Sequence, residues 1–200
     1  GMTASTVRAM RKKIRLSPAF SLVDTCAAEF ESRTPYFYST YACSDDVHSP
    51  AKNSIMILGG GPNRIGQGQE FDTCCVEAAM TAKRAGRRVI MVNCNPETVS
   101  TDPDISDRLY FEPLTTEDVL NIADRERPTG VIVQLGGQTP LNLCNDLRRA
   151  GLPILGTAPE DIDRAEDRKK FDAVLDAAGL HRPENGMAGS AAEARAVVER

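Results

Sequence analysis

From residue 54 onward the chain alternates short apolar runs with amphipathic stretches. Ile55-Met56-Ile57-Leu58 has the length and continuity of a strand buried on both faces, and it ends in Gly59-Gly60-Gly61. Apolar positions at helical spacing over 71–85, followed by Gly86, predict a helix with a glycine at its C-terminal cap. Residues 88–93 read as a second strand and 109–111 as a short third. Thr115 or Thr116 caps a helix to about residue 126, with Glu117 and Asp118 in the first turn, where the helix dipole favours acids. Residues 130–134 read as a fourth strand, Thr139-Pro140 opens a helix that Gly151 ends, and 153–155 is a fifth, edge-like strand. Further helices start at Pro159 and at Arg168. Strand, helix and strand recurring at about 30 residues is the spacing of right-handed crossovers and a parallel sheet. The expectation is a doubly wound, mostly parallel, Rossmann-like α/β domain over about 54–156, flanked by short helical segments.

The first fifty residues follow no such pattern. Residues 7–16 suggest a short basic helix, Ser17-Pro18 breaks it, and Asp24 can cap a turn running through Cys26 to Phe30. Four of the ten aromatic side chains, Tyr36, Phe37, Tyr38 and Tyr41, then fall close together. With little core of its own, this segment is expected to dock on another surface, either the following domain or further chain. Residues 45–53, with Ser49 and Pro50, read as a linker.

Composition narrows the function classes. The formal net charge of −4 over 200 residues leaves no global cationic field for nucleic acid or an anionic membrane. With 41% apolar and 26% charged residues, 15 Gly and 12 Pro, the chain sits near globular averages and is expected to fold. No apolar run approaches the roughly 18 residues of a spanning helix, and the basic start is followed by no apolar segment of a secretory signal. The reading is therefore cytoplasmic, with Gly1-Met2 taken as a tag remnant before a start codon. The six cysteines form no C-x-x-C pair and no zinc spacing, so they are expected to be reduced, mostly buried thiols, with no metal site. His48 and His181 have no partner that suggests catalysis and are expected at the surface.

In a doubly wound sheet the ligand-facing loops leave the carboxyl ends of the strands. Here those loops hold Gly59 to Gly68, Cys94 to Asp102, and Gly136-Gly137-Gln138. Gly61 to Gly66 has the glycine spacing of a Walker loop, but Gln67 stands where the lysine belongs and Gly68 where the metal-binding hydroxyl belongs. A dinucleotide fingerprint fails as well, because Arg64 replaces its third glycine and Asn93 the ribose-binding acid. Two readings remain open: a nest of converging amides for a small anion, or a tight turn whose glycines serve packing. The second loop is long, about fifteen residues against the usual two to six, which favours a pocket wall. Glu70 and Glu97 could both face that pocket as paired carboxylates, or be solvated surface acids.

Four strings stand in order: Gly-Gly-Gly-Pro-Asn-Arg-Ile-Gly-Gln-Gly at 59–68 followed by Glu70-Phe71-Asp72, Asn-Cys-Asn-Pro-Glu-Thr-Val-Ser-Thr-Asp at 93–102, Gly-Gly-Gln-Thr-Pro at 136–140, and Asp-Arg-Ala-Glu-Asp-Arg at 163–168. Together they resemble the large subunit of carbamoyl phosphate synthetase, in its second, carbamate-phosphorylating half. Val23 to Phe30 and Tyr38-Ser39-Thr40-Tyr41 are similar to the end of that family's oligomerisation domain. The resemblance implies three parts: residues 1–50 as the helical or irregular tail of the oligomerisation domain with a linker, 51–160 as the pre-ATP-grasp domain, and 161–200 as the start of the ATP-grasp domain. It also implies a fragment that is inactive alone, because the family's acidic Mg ligands lie further along the chain, so no catalytic residue is assigned here.

The enzyme resembled converts bicarbonate, glutamine-derived ammonia and two MgATP into carbamoyl phosphate for arginine and pyrimidine synthesis. A glutaminase small subunit and the remaining domains of the large chain are the implied partners, with bicarbonate, carbamate and ammonia as small-molecule substrates. Arg168 matches an arginine that approaches nucleotide phosphates, the plainer alternative being an ion pair with Glu166 or Asp167. Gly68, Glu70 and Glu97 match positions lining a carbamate tunnel. The implied substrate-facing loop residues are Gly59, Gly60, Gly61, Asn63, Arg64, Asn95 and Gln138. Gln69 departs from the aliphatic residue expected there, and Cys74-Cys75 resembles a structural pair. The alternative from a different class is a stand-alone anion- or nucleotide-binding module without catalysis.

Overall fold

The computed structural model describes residues 1–41, 45–62, 69–183 and 186–199. The chain divides into two compact units, Gly1–Pro159 and Glu160–Arg200. The first is built on six strands, β1 (Ala19–Leu22), β2 (Tyr36–Thr40), β3 (Ser54–Leu58), β4 (Arg88–Val92), β5 (Arg108–Tyr110) and β6 (Val131–Ile132), in the order β1-β2-β5-β4-β3-β6. Every neighbouring pair is parallel except β1 and β2. The register sets Ile57 opposite Met91 and Met91 opposite Leu109, so the pleat turns all three to one face. There they pack with Val89 against Cys75, Ala79 and Ala82 of the helix α2 (Glu70–Arg84). Gly86, at φ +74°, ends that helix as expected.

The opposite face receives the helix α3 (Thr116–Glu126), whose Val119 and Ile122 are buried. Its cap is Thr115, whose hydroxyl accepts from the Asp118 amide at 3.2 Å. The helix α1 (Ala4–Lys13) starts three residues before the expected basic helix and buries no side chain. Charge holds it to α3: Arg11 pairs with Glu117 and Lys12 with Asp124, both at 2.6 Å, and Arg8 Nε donates to Asn121 at 3.2 Å.

Of the first fifty residues, expected as a helical or irregular tail, two stretches are strands instead. The aromatic segment is β2, which pairs with β5 and carries β1 as its antiparallel outer neighbour. Phe37 stacks on Tyr110 at 5.5 Å and Phe20 meets it edge-on at 5.2 Å, so the aromatics find their core on the adjoining strand. The Asp24 turn forms, its carboxylate accepting from the Cys26 and Ala28 amides at 2.9 and 2.7 Å. The described part of the expected linker is packed down: Val47 and Ala51 are each 1% exposed, and Asp45 pairs with Arg125 at 2.8 Å.

Beyond β6 the expected single helix is two short ones, α4 (Gln138–Leu141) and α5 (Cys144–Arg149). They part where the Leu143 amide turns to Pro140 O, one residue short of helical spacing. Residues 153–155 form one parallel bridge, Val131 to Ile154, with Pro153 accepting from Val131 but having no N–H to donate. The second unit has α6 (Pro159–Glu166), α7 (Arg168–Ala177) and α8 (Ala191–Val198), none with a buried residue. Asp167 caps α7, accepting from the Lys169 and Lys170 amides at 2.9 and 3.1 Å, and these contacts hold its carboxyl below its ordinary value. No helix among the described residues is long and apolar enough to cross a membrane.

Candidate functional site

The strand order reverses at β3, with β4 on one side and β6, reached through α3, on the other. Chains leaving β3 and β6 at their carboxyl ends diverge there, which opens the crevice where such sheets take ligands. At their start the two chains pass in backbone contact, since a Cβ on Gly136 would lie 2.3 Å from Gly59 O; one on Gly59 would lie 2.6 Å from the Asn93 side chain, at Cγ. Gly61, at φ +72°, turns the first loop away.

Two of the glycine amides are already used. Gly59 N donates to Val92 O at 2.9 Å and Gly61 N to Asn93 Oδ1 at 3.1 Å. At these two positions the turn reading holds over the anion nest, since a nest needs its N–H groups free. Asn63, Arg64 and Gly68 lie outside the described residues.

Asn93, just past β4 and 1% exposed, is the centre of this edge. Besides Gly61 N, its Oδ1 accepts from Asn95 N at 3.4 Å, and its Nδ2 lies 3.3 Å from Ser100 Oγ as donor. Asn95 Oδ1 accepts in turn from Glu97 N at 3.0 Å, and Ser100 N donates to Asp72 Oδ2 at 3.0 Å. Asp72 is in the first turn of α2, two residues past Glu70. The structure thus ties the loop bearing Glu97 to the helix start bearing Glu70, and both glutamates are exposed. Asn95 Nδ2, Asp72 Oδ1 and Thr139 Oγ1 are buried atoms without a hydrogen-bond partner among the described residues.

Gly60 lies in the same turn as Gly59 and Gly61, and Gln138 opens α4 exposed, donating to Asn142 Oδ1 at 3.0 Å. Arg168 is the exposed first residue of α7 in the second unit, and among the described residues it makes no ion pair with Glu166 or Asp167.

The thiols depart from expectation. Of the five described, only Cys75 and Cys144 are buried, and Cys74 is exposed because it faces outward on α2. Burial pushes the Cys75 thiol up to about 12, with the charge of Asp72 adding to it, so it is inert at neutral pH. His48 and His181 are both exposed. The described residues hold no grouping of three His, Cys, Asp or Glu side chains able to hold a metal. A cavity of about 610 Å³ beside α1 is lined by Arg8, Lys12, Glu117, Leu120, Asp146 and Arg149, whose charges are already paired with one another or with their neighbours.

Two polar centres escaped the sequence reading. Asn93 entered it as a mismatch to a dinucleotide site and as the first residue of the 93–102 string, with no role of its own, although an Asn-x-Asn directly after a strand is a signal for consecutive side-chain-to-backbone turns. The other lies toward the amino ends of the strands, where Glu126, fully buried, accepts from Arg108, from the Tyr110 hydroxyl and, at 2.8 Å, from Ala51 N. Burial, with the Glu126 charge behind it, pushes the Tyr110 hydroxyl well above its usual range.

Strand order, switch point and paired glycine turns define a doubly wound α/β domain with its ligand edge at the carboxyl ends. Among solved structures, N5-carboxyaminoimidazole ribonucleotide synthetase from Thermus thermophilus shares this fold at a TM-score of 0.51 and 16% identity, over 72% of this chain and 35% of that one. Residues 51–164 match the family model of the carbamoyl phosphate synthase preATP-grasp domain, and the chain belongs to that family. It is 58% identical over 200 residues to the carbamoyl phosphate synthase large chain of Myxococcus xanthus, covering 100% of this chain and 18% of the relative. The large chain of Methanothermobacter thermautotrophicus is 55% identical over 200 residues, covering 100% of this chain and 19% of its own length. The chain therefore spans about a fifth of the curated relatives it matches.

Proposed function

We propose that this chain is part of the carbamate-phosphorylating half of a glutamine-dependent carbamoyl phosphate synthetase large chain. The observation that carries the reading is 58% identity along all 200 residues, together with the family match over 51–164. In this reading residues 1–50 end an oligomerisation domain, 51–160 are the pre-ATP-grasp domain and 161–200 begin the ATP-grasp domain. The whole enzyme takes bicarbonate, ammonia released by a glutaminase small subunit, and two MgATP, in the cytoplasm, and its product serves arginine and pyrimidine synthesis.

Each residue's part follows from its chemistry. Glu70 and Glu97 accept hydrogen bonds from the N–H of a passing carbamate, and Gly68, having no side chain, adds no bulk to a tunnel wall. Arg168 offers a planar fork of donors to nucleotide phosphate oxygens, in keeping with its exposure and its freedom from an ion pair among the described residues. Gly59, Gly60, Gly61, Asn63, Arg64, Asn95 and Gln138 form the loops on the substrate side. MgATP supplies the transferred phosphoryl group, and its metal is assigned to no residue here, since the described residues hold no ligand cluster. The spent amides of Gly59 and Gly61 count against a stand-alone anion module.

The test is the full-length enzyme carrying this segment, assayed for carbamoyl phosphate formed and ADP released. Gly68→Leu is expected to raise ADP per carbamoyl phosphate, and Arg168→Glu to raise the KM for MgATP. A wild-type enzyme that makes no carbamoyl phosphate overturns the reading; an active one unmoved by either variant removes those two residues from it.

A further inference from the structure

The two candidate carboxylates and the glycine turn belong to three separate segments, and one buried carboxamide joins all three. Asn93 accepts from Gly61 N at 3.1 Å and from Asn95 N at 3.4 Å. Through Asn95, whose side chain accepts from Glu97 N at 3.0 Å, it sets where the loop lifts Glu97. Through Ser100, 3.3 Å from its Nδ2, it fixes the stretch whose amide donates to Asp72 at 3.0 Å, two residues past Glu70. Its side chain also fills the space that the missing Cβ of Gly59 leaves, with Cγ 2.6 Å from where that atom would stand. At 1% exposure Asn93 touches no solute itself, so its part in any reaction is indirect.

We propose that Asn93 is the positioning residue that sets the spacing of Glu70, Glu97 and the 59–61 turn, and with it the efficiency of carbamate transfer; this rests on the function proposed above. A carboxamide suits the task because one oxygen accepts two amides while the nitrogen donates in the opposite direction. Aspartate at 93 keeps the geometry: one oxygen still accepts from Gly61 N and Asn95 N, and the Ser100 hydroxyl turns to donate to the other. Alanine loses all three contacts and leaves a buried Gly61 N–H without an acceptor.

The experiment measures ADP released per carbamoyl phosphate, with kcat and the KM for MgATP, in the full-length enzyme carrying Asn93→Ala or Asn93→Asp. Amide hydrogen exchange at Gly61 and Asn95 is followed in the 200-residue chain. For Asn93→Ala the ratio is expected to rise at least about threefold, because small displacements of guiding groups cost reaction efficiency steeply, with the KM for MgATP unchanged. Exchange at Gly61 should quicken, and Asn93→Asp should restore both ratio and exchange. A merely structural role would lower kcat through loss of folded enzyme and leave the ratio alone, and that result overturns the proposal. If Asn93→Ala does not fold, Ser100→Ala, which removes the hydroxyl that Asn93 Nδ2 and Thr98 Oγ1 reach while leaving the Ser100 amide to Asp72, carries the expectation of a raised ratio; a wild-type ratio there overturns it equally. Absence of carbamoyl phosphate from the wild type refutes the proposed function instead, so the two failures are distinct.

Discussion

Removing the Glu126 carboxylate should unfold the first unit more readily than any other single side-chain truncation at the sheet's amino edge. Glu126 is 0% exposed and serves three donors on two segments: the Arg108 guanidinium and the Tyr110 hydroxyl of β5, and the Ala51 amide ahead of β3. In Glu126→Ala the Arg108 side chain, 15% exposed, keeps its charge without a counterion, and two buried donors lose their acceptor. Breaking one partner out of a buried pair costs about 3–5 kcal/mol. At about 1.4 kcal/mol per tenfold in an equilibrium constant, that is two to three and a half orders of magnitude. With a urea m-value of about 2 kcal/mol/M the midpoint falls by about 2 M. The four tyrosines all lie between residues 36 and 110 and there is no tryptophan, so tyrosine fluorescence during urea titration reads the first unit alone. Replacing both charged partners by apolar side chains, Arg108→Met with Glu126→Leu, should recover only part of that loss, because no charge is stranded but the Tyr110 hydroxyl and the Ala51 amide still lack their acceptor. A Glu126→Ala midpoint shifted by less than about 0.5 M refutes the account of this network.

Two further outcomes are expected. Glu112, bonded to the Ser39 amide, has its carboxyl pushed above the ordinary 4.5 by burial, against the pull of that bond and with help from Asp118, so its protonated form is the one the fold favours. Its contribution is complete below the ordinary value and is lost as pH rises through the raised one; Glu112→Gln should therefore gain on wild type in urea midpoint over that interval and then level off, and a difference independent of pH sinks the assignment. Gly136→Ala forces a Cβ to 2.3 Å from Gly59 O and should cost about 2 kcal/mol or more by overpacking, read as a fall in the urea midpoint; an unchanged midpoint refutes the close approach.

The parts of the fold legible in the sequence are those whose burial is decided locally. β3 and β4 are continuous apolar runs, α2 ends at a glycine in the left-handed region, and Thr115 caps α3 from the position its spacing gives. β1 and β2 were not legible, because nothing within 19–40 shows that Tyr110 lies ready to pack Phe20 and Phe37. The linker reading at 45–53 failed for the same reason: its polar composition is compatible with exposure, but Glu126 draws the Ala51 amide inward from 75 residues away. α8 is a different case. Ser190 and Glu193 have capping-box spacing, and Glu193 N does donate to Ser190 Oγ at 3.3 Å, so that signal was present and went unread.

At the candidate site the sequence located the edge but misdirected the chemistry of its first glycines. A glycine run after a strand reads as a cradle for an anion, since amides without Cβ atoms around them can converge on one. Here Gly136 is a glycine because its chain passes in contact with the Gly59 backbone, Gly59 because the Asn93 side chain fills the space a Cβ would take, and Gly61 because the turn enters the left-handed region. The amides of Gly59 and Gly61 go to Val92 and Asn93, which a sequence pattern cannot reveal because the acceptors lie at the end of the next strand and just past it. Glycine spacing by itself therefore argues only for close approach. Whether an anion is held depends on how many of those N–H groups remain after the fold has taken its own, and at residues 59 and 61 it has taken both.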